Sequence, residues 1–325
     1  MILIKPSFEI IEQESGFEGV LKQIEKVGRT CYKSEDKIKE GSAKKFVDML
    51  TTNCHGAMLE HGTVYLTFPG ESEPNDIGMC SYSPCYKGDY TRNKYSKVNY
   101  EYWEQEPVGT QCDFCRSISR SKIHVTTNYR VLVENGWLED LKYQCEPTEY
   151  HAKRITVKFV CDRGVSHEFV RHRVFSFAQE STRYCNYSKD KFGNEITFII
   201  PNWLDLQEGT YEEKYLISKD TEEKYKTIGC NDIFYNVSSS PEGRFLEACV
   251  WSEYYYLDLV NTYNWKPQQA RAVLPNSLKT ELVMTGFIED WKHFFELRCD
   301  TAAHPQAREL AIPLQDWFKQ NNLID

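Results

Sequence analysis

No apolar run in the chain approaches the roughly 18–20 residues that a membrane-spanning helix needs. The start, MILIKPSFEI, holds no hydrophobic stretch of signal-peptide length, so a cytoplasmic location is the expectation. No GxGxxG follows a strand pattern, and neither GxxxxGKS nor GxxxxGKT occurs. The Rossmann fingerprint and the P-loop are therefore both excluded as routes to nucleotide binding. Positive charge is also short: 39 Lys and Arg face 48 Asp and Glu, a formal net charge of −9. That balance argues against a general nucleic-acid binder, which neutralises phosphates with a basic face. A small anionic ligand held by a few local arginines remains compatible with it. No internal repeat or low-complexity tract occurs.

The 325 residues suffice for one large domain or two ordinary ones, with a real core. Without an export signal, the 12 cysteines read as reduced thiols rather than a disulfide framework. Cys112 and Cys115 form a CxxC, but four residues separate Cys80 from Cys85, which departs from zinc-ligand spacing. Ordinary thiols are the preferred reading of this set, and no metal is expected.

MILIKPSFEII reads as a strand. Ala43, Phe46, Val47 and Leu50 recur at helical spacing, so residues 41–52 read as an amphipathic helix. TVYLTF (63–68) and RITVKFV (154–160) read as strands, paired with each other across a polar insertion at about 70–150. Within it, NYRVLVENG looks like a helix ending at Gly136. A second loop-rich segment covers about 186–240. From about 242 the pattern turns helical: RFLEACVWSEYYYLDLVNTY, KPQQARAVL with Pro267 near its start, FIEDWKHFFELR and HPQARELAIPLQDWFKQ. Strands first and helices later suggest α+β.

RHRVFSFAQESTRY (171–184) places three arginines, a histidine and two serines within fourteen residues of an acidic chain. Residues 166–173 read as a short helix with His167 and Arg171 on one face. After Phe175 the pattern becomes a small, polar loop, able to offer amides and hydroxyls to a phosphate with Arg183 as a bidentate clamp. The competing reading is a solvated basic turn paired with Glu168 and Glu180. In DWKHFFELR, Trp291, Phe294, Phe295 and Arg298 follow i, i+3, i+4, i+7, so Arg298 falls on an apolar stripe. A buried guanidinium needs an anion or acceptor, which an internal ion pair could also supply. His55 and His61 bracket the turn into strand 63–68 at a spacing that matches no zinc pattern.

Arg171-His172-Arg173, then seven residues, then Ser181 and Arg183, resembles the signature of flavin-dependent thymidylate synthases. RTCYKS (29–34), HGAMLEHGTVYLTF (55–68), HEFVRHRVFSFAQESTRY (167–184), QARAVLP (269–275) and HFFELR (293–298) resemble that family's blocks in the same order. The resemblance covers about two thirds of the chain and leaves the two loop-rich segments as extras. It implies one α+β domain over 1–325, a mixed sheet with helices, assembled as a homotetramer with shared active sites. It implies reductive methylation of deoxyuridine monophosphate (dUMP) at C5. The carbon would come from 5,10-methylenetetrahydrofolate and the hydride from reduced FAD, regenerated by NADPH.

By position, the resemblance assigns Glu168, Arg171, Gln179, Glu180, Ser181, Thr182, Arg183, Arg271 and Arg298 to the nucleotide. Arg298 would lie by the uracil and favour loss of the N3 proton. Arg171, His172, Arg173, Gln179 and His293, with Ala57, would contact FAD. His55 and Tyr184 would lie on the folate and flavin side. Ser181 reads as a hydrogen-bonding group, since a serine nucleophile needs an adjacent base. The chain departs from the family in two places. Ala178-Gln179 stands where many members carry Asn-Glu, and Phe287 stands where Asn is frequent. Other readings of the same residues are a catalytically silent nucleotide-binding relative and a phosphate- or RNA-binding module.

Overall fold

Lys5-Pro6 divides the opening strand pattern. Proline lacks the N–H a sheet ladder needs, and the chain forms β1 (Ile2–Ile4) and β2 (Ser7–Ile11), which join different sheets. The computed structural model describes residues 1–53, 55–69, 73–74, 80–81, 88–102, 121–211 and 240–325. Cys85, Cys112, Cys115 and the side chain of Cys80 lie outside the described residues.

After β2 come α1 (Gly16–Tyr32), α2 (Ser42–Thr52), the short α3 (Gly56–Leu59) and β3 (Thr63–Pro69). A two-residue ribbon pairs β4 (Glu73–Pro74) with β5 (Cys80–Ser81). Next are β6 (Lys97–Tyr102), β7 (Ser121–Asn128), α4 (Tyr129–Asn135), β8 (Arg154–Asp162), α5 (Arg163–Phe169) and β9 (Ser176–Gln179). The chain then forms β10 (Thr197–Ile199), β11 (Gly209–Thr210), α6 (Pro241–Asn261), α7 (Pro267–Ala270), β12 (Lys279–Phe287), α8 (Ile288–Arg298) and α9 (Pro305–Gln320).

The central sheet is antiparallel, in the order β2-β8-β12-β9. Val157, Phe159, Cys161, Leu282 and Met284 meet α8 and α9 through Trp291, Phe294, Phe295, Leu310 and Phe318. Val283 and Ala178 instead join Val27 of α1. Gly286 lets Phe175 approach the strand, for a Cβ there would fall 2.5 Å from the ring. A second core lies between α1, α2 and the sheet β3-β7-β6. A third gathers β1, β10 and α6.

Several elements differ from the sequence-based expectation. β3 pairs with β7, inside the segment expected to be an insertion, and not with β8. β12 is a strand within the stretch expected to be helical. It is buried along eight of its nine residues, so it lacks the alternation that marks a half-exposed strand. Helix α5 ends at Phe169, so Arg171 lies beyond it, and residues 176–179 form an edge strand rather than loop. Helix α7 is a single turn, continued by a 3-10 turn at Arg271–Val273. The helices at 42–52, 129–135, 288–298 and 305–320 lie where their periodicity places them. Among the described residues no helix is long and apolar enough to cross a membrane.

Arg154 joins two sheets. Its guanidinium donates to Glu60 O (3.0 Å) and Thr63 Oγ1 (3.2 Å) at the start of β3, and to Ser176 Oγ (3.2 Å) in β9. Burial lowers its pKa to about 10. His61, completely buried beside it, shares a 2.8 Å hydrogen bond with Thr285 and is held neutral, its pKa pushed by burial and by Arg154 to about 3. It is a core histidine. Phe294 packs on Phe159, Phe169, Phe175 and Trp291. Phe294→Ala is therefore expected to cost about 3–5 kcal/mol in urea denaturation; a loss below about 1 kcal/mol would show that this ring is not central to the core.

Candidate active site

The arginine-rich segment is held at both ends by the central sheet. Asp162 at the end of β8 caps α5, accepting from Val165 N at 2.8 Å. Residues 170–175 turn back through His172 N→Phe169 O and Phe175 N→His172 O, both 3.1 Å. β9 then pairs with β12, and Gln179 Nε2 donates to Ser166 Oγ of α5 at 2.8 Å.

Three groups of predicted residues form. The first surrounds Arg298, whose place on the apolar stripe of α8 brings it to the end of α5. Its NH1 meets Glu168 Oε2 at 2.7 Å, its NH2 donates to Glu168 O at 2.9 Å, and its Nε donates to His172 Nε2 at 2.9 Å. The internal partner that an apolar-face guanidinium requires is thus Glu168. These bonds use three of the five guanidinium N–H groups. Because His172 Nε2 accepts, the ring proton is on Nδ1. Burial, then the Arg298 cation and His293, push the His172 pKa down to about 4. His293 is exposed and bonds Glu296 at 3.0 Å.

The second group is the loop after β9. Ser181 N donates to Cys31 O (3.1 Å), and Ser181 O accepts from Tyr184 N (3.1 Å) and Cys185 N (2.9 Å). Ser181 Oγ accepts from Arg183 N at 3.3 Å, and among the described residues no base bonds it. Arg271 NH1 donates to Thr182 Oγ1 at 2.9 Å. The Glu180 carboxylate faces inward, to Lys279 Nζ (2.9 Å) and the Tyr187 hydroxyl (3.2 Å). Arg171, Arg173 and Arg183 are exposed, and among the described residues they form no ion pair. Arg183 lies over the Tyr184 ring, 5.5 Å from its centre.

The third group is aromatic. Tyr184 packs on Tyr32 with ring centres 5.5 Å apart, and the Tyr32 hydroxyl shares a 3.0 Å hydrogen bond with His55 Nδ1. Ala57 is exposed on α3, two residues along. No hydrogen bond or ion pair among the described residues joins this group to Arg298. Tyr32, Lys33, Lys279 and Glu281 were not singled out in the sequence. The first two lie in RTCYKS, and the others lie on the strand whose pattern burial erases.

The sequence model of the family described as "Thymidylate synthase complementing protein" matches residues 119–321, more than half of the chain. The chain belongs to this family. It is 28% identical over 164 residues to the flavin-dependent thymidylate synthase of Pyrococcus furiosus, covering 50% of this chain and 53% of that protein. To the enzyme of the same name from Corynebacterium efficiens it is 27% identical over 172 residues, covering 49% and 54%. The chain thus spans about half the length of the curated relatives it matches. The crystal structure of a UMP/dUMP methylase, PolB, from Streptomyces cacaoi bound with 5-Br dUMP overlaps 98% of this chain and 93% of that one. Its identity is 16% and its TM-score 0.38, too loose an overlap to align site residues.

The family model spans the arginine block at 171–183, where His172 is neutral at physiological pH. Its folded pKa is depressed below the ordinary value of 6.5, so its contribution to stability is present above that value and lost as pH falls toward about 4. In an NMR titration the His172 ring should titrate near pH 4, and Arg298→Met should move the midpoint upward by removing the neighbouring cation. A wild-type midpoint at 6.5 would show that the ring is neither buried nor beside Arg298.

Proposed function

We propose that this chain is a flavin-dependent thymidylate synthase that methylates dUMP at C5, with 5,10-methylenetetrahydrofolate as carbon donor and NADPH as reductant. The observation that carries the proposal is the set of exposed guanidinium groups of Arg171, Arg173 and Arg183, free of ion pairs among the described residues, in a chain of net charge −9. In so acidic a protein, surface arginines have abundant carboxylates to pair with. A row of unpaired ones fits ligands that carry phosphate. Family membership and the names of the relatives favour the same reading.

In this reading the Arg183 guanidinium and the Ser181 hydroxyl hold the nucleotide phosphate, with Arg171 and Arg271 beside them, while the amides of Glu180, Ser181, Arg183, Tyr184 and Cys185 are already bonded within the protein. Thr182 is already bonded to Arg271. Arg298, fixed on one side by Glu168 and His172, keeps two N–H groups for the uracil carbonyl. A cation there stabilises the negative charge that develops as N3 loses its proton. The donor set suits an anionic flavin dinucleotide: Arg173 and Arg171 form no ion pair among the described residues, His172 carries a proton on Nδ1, and His293 is exposed. These residues, with Ala57, would hold FAD, which when bound supplies the hydride that completes the methyl group. Gln179 contributes differently, since its amide is occupied by Ser166 and Thr280. His55 and Tyr184, coupled through Tyr32, form the folate-side wall.

A homotetramer with shared active sites accords with two features. Among the described residues, no hydrogen bond or ion pair joins the Arg298 group to the aromatic group within one chain. Tyr254, Tyr255, Tyr263 and Trp265, on and just after α6, are exposed and could serve as a subunit contact. The cytoplasm is the proposed location.

The test is tritium release from dUMP labelled at C5, because that carbon must lose its hydrogen when the methyl group is installed. Release that requires both the folate and FAD is expected. Arg298→Ala should lower kcat by about 100-fold or more, the usual effect of deleting a charge-stabilising donor. No release from folded, flavin-loaded protein would sink the synthase reading in favour of a catalytically silent relative.

A further inference from the structure

Two lysines and two glutamates form a largely buried group behind the loop that follows β9, and Lys33 Nζ also lies 3.6 Å from Glu35 Oε1. Lys279 Nζ reaches Glu180 Oε2 at 2.9 Å and Glu281 Oε1 at 2.7 Å. Lys33 Nζ pairs with the same Glu281 oxygen, and the Tyr187 hydroxyl donates to Glu180 Oε1 at 3.2 Å. All four charged side chains are largely withdrawn from solvent, with exposures between 2% and 17%. They come from three parts of the site: Glu180 from the loop itself, Lys279 and Glu281 from β12, and Lys33 from the position that caps the end of α1. Lys33 is in the left-handed region at φ 49°. Glu180 N also donates to Glu281 O at 2.8 Å, so backbone and side chain tie the loop to the same strand.

Burial opposes ionisation on both sides of this group, and pairing overrides it. Glu180 and Glu281 hold the Lys279 amine up at about 12, and the two lysines hold the Glu281 carboxyl down at about 2. Lys279 and Glu281 are therefore both charged throughout the physiological range. Glu180, in the loop assigned to a phosphate, would otherwise present an uncompensated carboxylate to a dianion. A cavity of about 220 Å³, lined in part by Lys33, Glu180, Tyr187 and Lys279, adjoins the group.

We propose that Lys279 is a positioning residue for the nucleotide: by bridging Glu180 to Glu281 it anchors the loop Glu180–Arg183 to β12 and compensates the Glu180 carboxylate. The assignment of the loop to a nucleotide rests on the synthase reading above; the anchoring itself does not. Removing the lysine leaves Glu281 paired with Lys33 alone and leaves the buried Glu180 carboxylate without a cation, which the loop relieves by moving outward.

The experiment is Lys279→Met, read in two ways. In ligand-free protein, hydrogen–deuterium exchange of the amides of residues 180–185 should quicken at least tenfold, while the amides of α8 and α9 stay protected. In tritium release, KM for dUMP should rise about tenfold or more with kcat changed less than about threefold, and Lys279→Arg should recover most of the loss. If Lys279→Met does not fold, Glu180→Gln, which keeps shape and removes one charge, should quicken exchange in the same amides about threefold. Exchange and KM both at wild-type values would overturn the proposal, as would a loss of protection spread evenly over the whole chain. Quickened exchange in a protein that never methylates dUMP would sink the synthase reading and leave the anchoring standing. Unchanged exchange in an active enzyme would overturn the anchoring alone.

Discussion

Strand β12 is clasped by β8 along all nine of its residues and by β9 along four. Most of what positions the candidate site depends on that clasp. Its first residues supply Lys279 and Glu281 to the loop, and its middle pairs with β9, which leads into the loop. Its end runs without a break into α8, which carries Arg298. Burial on both faces leaves the strand no freedom to slip, because a shift by one residue would exchange the sides of Leu282 and Val283. The spacing between Arg298 and the loop is thus set by sheet register and helix length, both rigid, rather than by loop conformation.

The electrostatic arrangement separates two kinds of cation. Arg298 and Lys279 are withdrawn from water and have carboxylate partners that fix their direction. Arg171, Arg173 and Arg183 face solvent on turns and keep their hydrogen-bonding capacity. A buried cation without a partner would be costly, whereas an exposed one costs little to leave unpaired. This division lets an acidic chain keep exposed guanidinium groups without losing fold stability. The departures at Gln179 and Phe287 fit the same frame. Gln179 is used as a neutral tie between α5 and β12, and Phe287, mostly buried, faces the Arg154 cation at 5.6 Å.

The helices at 42–52, 129–135, 288–298 and 305–320, and the strands at 63–69 and 154–162, were legible because hydrophobic periodicity is a local property. So was the concentration of arginines at 171–183, and so was the need of Arg298 for a partner. Sequence could not identify that partner, since Glu168 and Arg298 are 130 residues apart. It could not separate Glu180, whose carboxylate turns inward, from Arg183, whose side chain turns outward, three residues along the same loop.

By itself, then, the sequence determined the local elements, the excess of acid and the arginine block that carries the family resemblance. The tertiary structure alone decided that β3 joins β7 rather than β8, that residues 279–287 form the central strand, and which of the charged residues are satisfied internally. The reason is physical. Periodicity records only that a face is buried, and a strand buried on both faces records not even that. Sheet partners and ion-pair partners are chosen by which distant segments arrive beside one another once the core has closed.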